Sequence, residues 1–244
     1  MTNTTKLSYL INPAVYNQVA VVTGKGTDEK GLYFITDVTP AYPQGGGQES
    51  DTGVVTCESH ELHYNAVRYF EGQVKHYIEI GWEKINVGAH VNIIVDENRR
   101  KRNSILHTAG HLIASVAFKN IPQVIPVKGH HFSDGSYIEL SGTVKTNLDD
   151  VKSHLQYILN EEIQTEKAVS YQMVTLEELK MKCPFVQPGL PEDKPLRVVN
   201  IQDFFPMGCG GTHVTRLNEI PVLNITKLKV SKDIIRIGYS CDSN

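Results

Sequence analysis

The chain has 244 residues, with 27 Asp and Glu against 24 Lys and Arg, a formal charge of -3; this is length enough for one large core or two modest ones. The charge argues against wrapping a polyanion over a whole face, so any nucleic-acid contact must be local. The first twenty residues lack the basic start and apolar stretch of a signal peptide, no run is long enough to span a bilayer, and Cys57, Cys183, Cys209 and Cys241 are too irregularly placed for a disulfide framework, so a cytoplasmic protein with no membrane partner is expected.

From Tyr16 to Asp96 short strand-like runs alternate with turn residues: YNQVAVVT, LYFITDV, GVVTCES, ELHYNAVRYF, VKHYIEI and HVNIIVD. Such spacing predicts a small closed or partly closed β domain. One segment, TPAYPQGGGQESDTG at 39–53, interrupts it with three consecutive glycines, Gly45, Gly46 and Gly47. Neither the Lys and Ser or Thr of a P-loop nor a strand-to-helix setting follows them, so no nucleotide cofactor is required.

At Asp96 the pattern changes to a helix, with Asp96 as its cap and Ile105, Leu106, Ala109, Leu112, Ile113, Val116 and Ala117 on one broad apolar face. A second helix is expected after Asn147, and Thr175 with Glu178 offers a capping box for a short third. Strands resume in YIELSGTVK, LRVVNI, PVLNITKLKV and DIIRIGY. The whole is read as α+β, with a β-barrel-like domain over residues 1–90 and an α+β domain over 91–244.

His107 and His111 stand four apart on the first helix, so one turn brings both imidazoles to the same face. The Glu that follows the first His of a metalloprotease helix is missing, which disfavours a peptidase. Cys209 and His213 repeat the spacing of four in a glycine-rich turn, where Gly208, Gly210 and Gly211 are expected to let the backbone fold tightly. Together the two clips make a soft tetrahedral donor set suited to Zn2+.

HTAGHL at 107–112 and CGGTHV at 209–214 resemble the paired signatures of the alanyl-tRNA editing proteins (the AlaX family), shared with the editing domain of alanyl-tRNA synthetase and similar in pattern to that of threonyl-tRNA synthetase. Between them GHHFSDGSYIEL at 129–140 resembles the family's link from helix to strand, and the segment 39–53 resembles its N-terminal glycine-rich motif, which points to the medium two-domain form. The chain departs from the family at Ala41, commonly an aromatic there, and at Glu49, often proline.

The resemblance implies a zinc-dependent aminoacyl-tRNA deacylase that removes serine from mischarged alanine tRNA. It places Thr39 and Gln48 facing the editing site and Cys209 at the pocket mouth, as the adaptable ligand. Alanine is smaller than serine, so no steric sieve can spare it. The site must read the hydroxyl, and polar groups left unpaired by an analogue lacking it discriminate by roughly four orders of magnitude. Phosphate contacts are expected from Arg99, Arg100, Lys101 and Arg102, a basic run whose position at a helix N-terminus opposes the macrodipole. His130 and His131 are candidates for placing water or the terminal adenosine, and His131 joins Gly45, Gly46 and Gly47 in the substrate-binding set. The rival readings are a zinc-stabilised RNA-binding module without activity, a hydrolase of small esters or amides, and editing without metal; oligomeric state is left open.

Overall fold

The computed structural model describes residues 4–186, 190 and 192–241. It is α+β and divides into two compact units, one ending at Arg102 and the other starting at Asn103.

In the first unit the strands are β1 (Lys6–Leu7), β2 (Asn17–Asp28), β3 (Gly31–Thr36), β4 (Val38–Thr39), β5 (Gly53–Cys57), β6 (His60–Phe70), β7 (Gln73–Ile78) and β8 (His90–Val95). Six of them close into a barrel in the order β2, β3, β7, β6, β5, β8. Alternation drives this closure: Val55, Val67, Val74 and Ile93 point inward and are fully buried, while the residues on either side of each are partly exposed. All six expected runs are barrel strands, although the first extends five residues beyond its apolar stretch, to Asp28. Strand β8 pairs with β2 (Asn17 opposite Ile94) and with β5 (Gly53 opposite Val95), so residues past 90 complete the barrel. The short β1 lies parallel to β4, placing Leu7 opposite Thr39.

The helix α1 spans Glu97–Asn120, and the expected apolar face is buried at Leu106, Ala109, Leu112, Ile113, Val116 and Ala117. In the second unit it is followed by β9 (Ile125–His130), β10 (Tyr137–Ser141), α2 (Leu148–Ile163), β11 (Val169–Val174), α3 (Leu176–Lys182), β12 (Leu196–Ile201), β13 (Met207–Gly208), β14 (Asn224–Ser231) and β15 (Ile234–Ser240). Helix α2 starts where Asn147 caps Asp149 N–H at 2.8 Å, and α3 carries the Thr175 and Glu178 capping box. An antiparallel sheet runs β14, β15, β10, β9, and a smaller one runs β11, β12, β13. Leu140, Leu159, Ile235 and Ile237 join the α1 face in a single core. Strands β9 and β11 were not expected from the sequence, because β9 fully buries none of its residues and β11 only Val174, so neither carries an apolar alternation. Residues 142–145, read as a strand, are irregular. No helix among the described residues is long and apolar enough to cross a membrane.

Candidate metal centre

In the second unit α1 presents His107 and His111 one turn apart, with ring centroids 5.0 Å from each other, and the turn after β13 brings His213 to 4.4 and 4.7 Å from them. One donor atom each from His107, His111, Cys209 and His213 lies within 4.8 Å of all the others, so the two sequence pairs converge on one point that could hold a metal ion. The fit can be tested on distances. Zinc bonds of about 2.3 Å to sulfur and about 2.05 Å to nitrogen at a tetrahedral angle put the two donors about 3.5 Å apart. Cys209 Sγ stands 3.4 Å from His107 Nε2 and 3.3 Å from His213 Nε2.

The electrostatics agree with that use. Burial, reinforced by the neighbouring imidazoles, holds His107 and His213 well below the usual histidine range. His111 is pushed down to about 4, by burial first and then by the Arg197 cation. All three are therefore neutral at pH 7 and carry a lone pair to give. Burial raises the Cys209 thiol to about 11, so it stays protonated until a cation holds its thiolate.

The turn is held by hydrogen-bonded partners, and it needs no left-handed glycine. Among the described glycines those with positive φ do not include Gly208, Gly210 or Gly211, and a Cβ on Gly210 would meet nothing within 4 Å. None of the three therefore needs glycine for a left-handed backbone, and Gly210 does not need it for close packing either. Arg197 on β12 does the holding, donating through Nη1 to the carbonyls of Cys209 and Gly211 at 2.8 and 3.0 Å, while Cys209 N–H donates to Arg197 O at 3.0 Å. Nothing in the sequence marked Arg197. Ser104 Oγ donates to Thr212 Oγ1 at 2.8 Å, joining α1 to the same turn.

His131 lies inside this unit, its ring stacked 4.5 Å from that of His107 at 25°. A side chain on Gly110 of α1 would collide with it, which is why glycine stands there. Tyr239 OH donates to Leu106 O at 2.9 Å and lies 2.6 Å from His131 Nδ1. The adjacent His130, the last residue of β9, has other partners, stacking against Phe132 at 4.2 Å and Tyr137 at 5.0 Å.

The other expected residues belong to the first unit. Gly46 and Gly47 have φ of 53° and 78°, a left-handed turn that L side chains resist, and Gly45 and Gln48 exchange both backbone hydrogen bonds across it at 3.2 and 2.8 Å. The segment is pinned further by Tyr42 OH to Gly45 O at 2.8 Å and by Tyr42 N–H to Asp51 at 2.6 Å. Thr39 and Gln48 are fully buried. Thr39 Oγ1 accepts from Ala41 N–H at 3.1 Å and lies 2.8 Å from Nε2 of His76, a barrel histidine the sequence did not single out.

The basic run divides. Arg100 is 1% exposed and spends four of its five N–H groups on Asp51, Pro13 O and Pro40 O, so it has a structural use that leaves little for a phosphate. Arg99 bonds Ser50 O at 2.9 Å and pairs with Glu49 at 3.4 Å. Arg102 is exposed.

Two described families match the chain: "Threonyl and Alanyl tRNA synthetase second additional domain" over residues 196–238, and "tRNA synthetases class II (A)" over residues 11–99. The chain is 32% identical over 216 residues to the alanyl-tRNA editing protein AlaX-M of Methanosarcina barkeri, covering 84% of this chain and 86% of that protein. Its counterpart in Methanosarcina mazei is 32% identical over 213 residues, with 82% of each covered. The alanine-tRNA ligase of Petrotoga mobilis is 31% identical over 213 residues, where 86% of this chain spans 24% of the ligase.

Proposed function

From the chain's membership in the family of alanyl-tRNA editing proteins, we propose that it hydrolyses in trans the ester of mischarged alanine tRNA, seryl-tRNA(Ala) above all. The observation that carries this reading is the convergence of two distant donor pairs, each spaced by four residues, on one point. The metal is assigned as zinc, since three neutral imidazoles and one thiol form a soft, tetrahedral donor set. Zinc bound there supplies an electrophile that polarises an ester carbonyl or acidifies a water.

The chain's own groups supply the rest. Four protein donors make a closed shell, whereas hydrolysis needs an open position. Cys209 is assigned as the adaptable donor, because its thiol, unlike the three imidazoles, must lose a proton before it can bind metal. Thr39 and Gln48 are assigned to reading the serine hydroxyl, Gly45, Gly46 and Gly47 to holding their segment in shape, and His131 to the substrate side of the centre. Arg99 and Arg102 are the proposed phosphate contacts; the buried Arg100 serves by tying Pro40 and Asp51 together. The place of action is the cytoplasm.

The closed donor set also favours a second reading, a zinc-stapled RNA-binding module without activity. Incubation with Ser-, Gly- and Ala-charged alanine tRNA, with and without a chelator, separates the two. Release of serine that spares alanine and stops on metal removal is expected. A protein that binds this tRNA and leaves every ester intact is the module. Equal turnover of short aminoacyl esters would instead make it a small-ester hydrolase.

A further inference from the structure

Thr108 lies between the two helical histidines, and its hydroxyl has three neighbours. It reaches Ser104 O, one turn back on α1, at 2.8 Å; Val214 N–H at 3.2 Å; and Nδ1 of His213 at 3.1 Å. A hydroxyl has one hydrogen to give and two lone pairs to offer. Ser104 O can only accept, so it takes the hydrogen, and Val214 N–H can only donate, so it takes one lone pair. The remaining lone pair faces His213 Nδ1, which must then carry the imidazole proton. His213 Nε2 is left bare, and that is the atom 3.3 Å from Cys209 Sγ.

We propose that Thr108 is the positioning residue of the metal centre, fixing His213 in the Nδ1–H tautomer so that Nε2 can bind the ion. A ligating histidine commonly donates its other ring N–H to an acceptor that sets tautomer and ring angle; here the acceptor comes from the helix that carries two of the other donors. One residue therefore couples the helical clip to the turn clip. Neighbouring Tyr239 repeats the arrangement for His131, which belongs to no clip: its hydroxyl donates to Leu106 O at 2.9 Å and stands 2.6 Å from His131 Nδ1. It provides an internal control.

The inference rests on the zinc reading above, and the test keeps their failures apart. The full chain, labelled with 15N-histidine, is examined by NMR without and with zinc, and zinc affinity is measured by competition with a chromogenic chelator. Thr108→Val keeps the shape and removes the hydroxyl, Thr108→Ser restores it, and Tyr239→Phe removes the parallel post. The expected result is a 10–100-fold loss of zinc affinity in Thr108→Val with His213 spread over both tautomers. Thr108→Ser should stay within about threefold of wild type, and Tyr239→Phe should leave His213 in the Nδ1–H form. Wild-type affinity and tautomer in Thr108→Val would overturn the proposal. So would an Nε2–H His213 in the zinc-free wild type, a result that needs no variant to fold. If the wild type takes up no zinc while His213 still carries its proton on Nδ1, the zinc reading fails and the tautomer assignment survives.

Discussion

Replacing Asp51 with Ala tests what holds the glycine-rich segment in place. Asp51 is 0% exposed and its partner Arg100 1%. Arg100 Nε meets the two carboxylate oxygens at 3.0 and 2.9 Å, Nη2 adds a shorter bond, and Tyr42 N–H donates at 2.6 Å. A guanidinium cannot shed its proton inside a protein, so Asp51→Ala strands a buried cation, at a cost of about 3–5 kcal/mol. Against a total stability of about 5–15 kcal/mol that is a large fraction, and for a unit of this size it lowers Tm by about 12 °C or more. Arg100→Met costs less through charge, because a lone carboxyl can protonate, but it leaves the Pro13 and Pro40 carbonyls without their guanidinium donor, at about 1–3 kcal/mol each. The double variant Asp51→Ala with Arg100→Met removes the stranded cation but bares both carbonyls, so its loss should fall short of the sum of the two single losses, as expected of partners in one buried network. Urea unfolding at pH 7, followed by the fluorescence of Trp82, the chain's single tryptophan and part of the same unit, measures all three. An Asp51→Ala variant within about 1 kcal/mol of wild type, or a double variant whose loss equals the sum of the two single losses, would refute the argument that the buried pair acts as one unit here.

Thr39→Val should cut release of serine from alanine tRNA by at least tenfold while zinc content, assayed on the same sample, stays at the wild-type level; unchanged serine release would remove Thr39 from the reading of the hydroxyl. Burial pushes the His76 pKa from 6.5 down to about 4. As this folded value is depressed, the unfolded chain takes up the proton first, and stability is full above about pH 6.5 and falls toward pH 4 at about 1.4 kcal/mol per pH unit for this one group. His76→Gln should flatten the urea-midpoint profile between pH 6.5 and 4.5 by that slope, and a profile parallel to wild type would show that His76 is not buried as the neutral form.

The barrel strands and α1 were legible because each buries one face, and burial of one face writes a period of two or of 3.6 into the sequence. The donor set was legible for a related reason: His107 with His111, and Cys209 with His213, are each spaced by four. The edges were not. Strand β9 exposes Ile125, Val127 and Lys128, and β11 buries only Val174 of its six residues, so neither carries a pattern to find. Arg197, Tyr239 and His76 were missed because what defines them is a partner distant in sequence: Arg197 Nη1 to Gly211 O, Tyr239 OH to His131, His76 to Thr39. Thr108 had a signal of a kind, since it sits inside HTAGH, but a threonine between two ligands reads as filler until its hydroxyl is traced. The basic run misled at Arg100 because charge in a sequence says nothing of burial, and an arginine with a carboxylate partner can be taken fully inside.

The arrangement around Thr39 sets what a hydroxyl-reading site could still offer. Its oxygen has one hydrogen and two lone pairs, and Ala41 N–H takes one lone pair at 3.1 Å. The 2.8 Å contact with His76 takes one more valence, and which one depends on the imidazole. If Nε2 is bare, Thr39 gives its hydrogen to His76 and keeps a lone pair, so it can accept from a serine hydroxyl. If Nε2 carries the proton, Thr39 keeps its hydrogen and can donate to the serine oxygen. Either way one valence of one buried oxygen remains, and a methyl group in its place can satisfy nothing. If Thr39 reads the hydroxyl as proposed, that single valence would separate serine from alanine in the right direction: the larger substrate would complete the bonding of a buried oxygen, and the smaller would leave it unpaired at a cost of about 1–3 kcal/mol. Reaching the roughly four orders of magnitude attainable by such sites, about 5.5 kcal/mol, therefore requires a second polar group beside Thr39, the part proposed for Gln48.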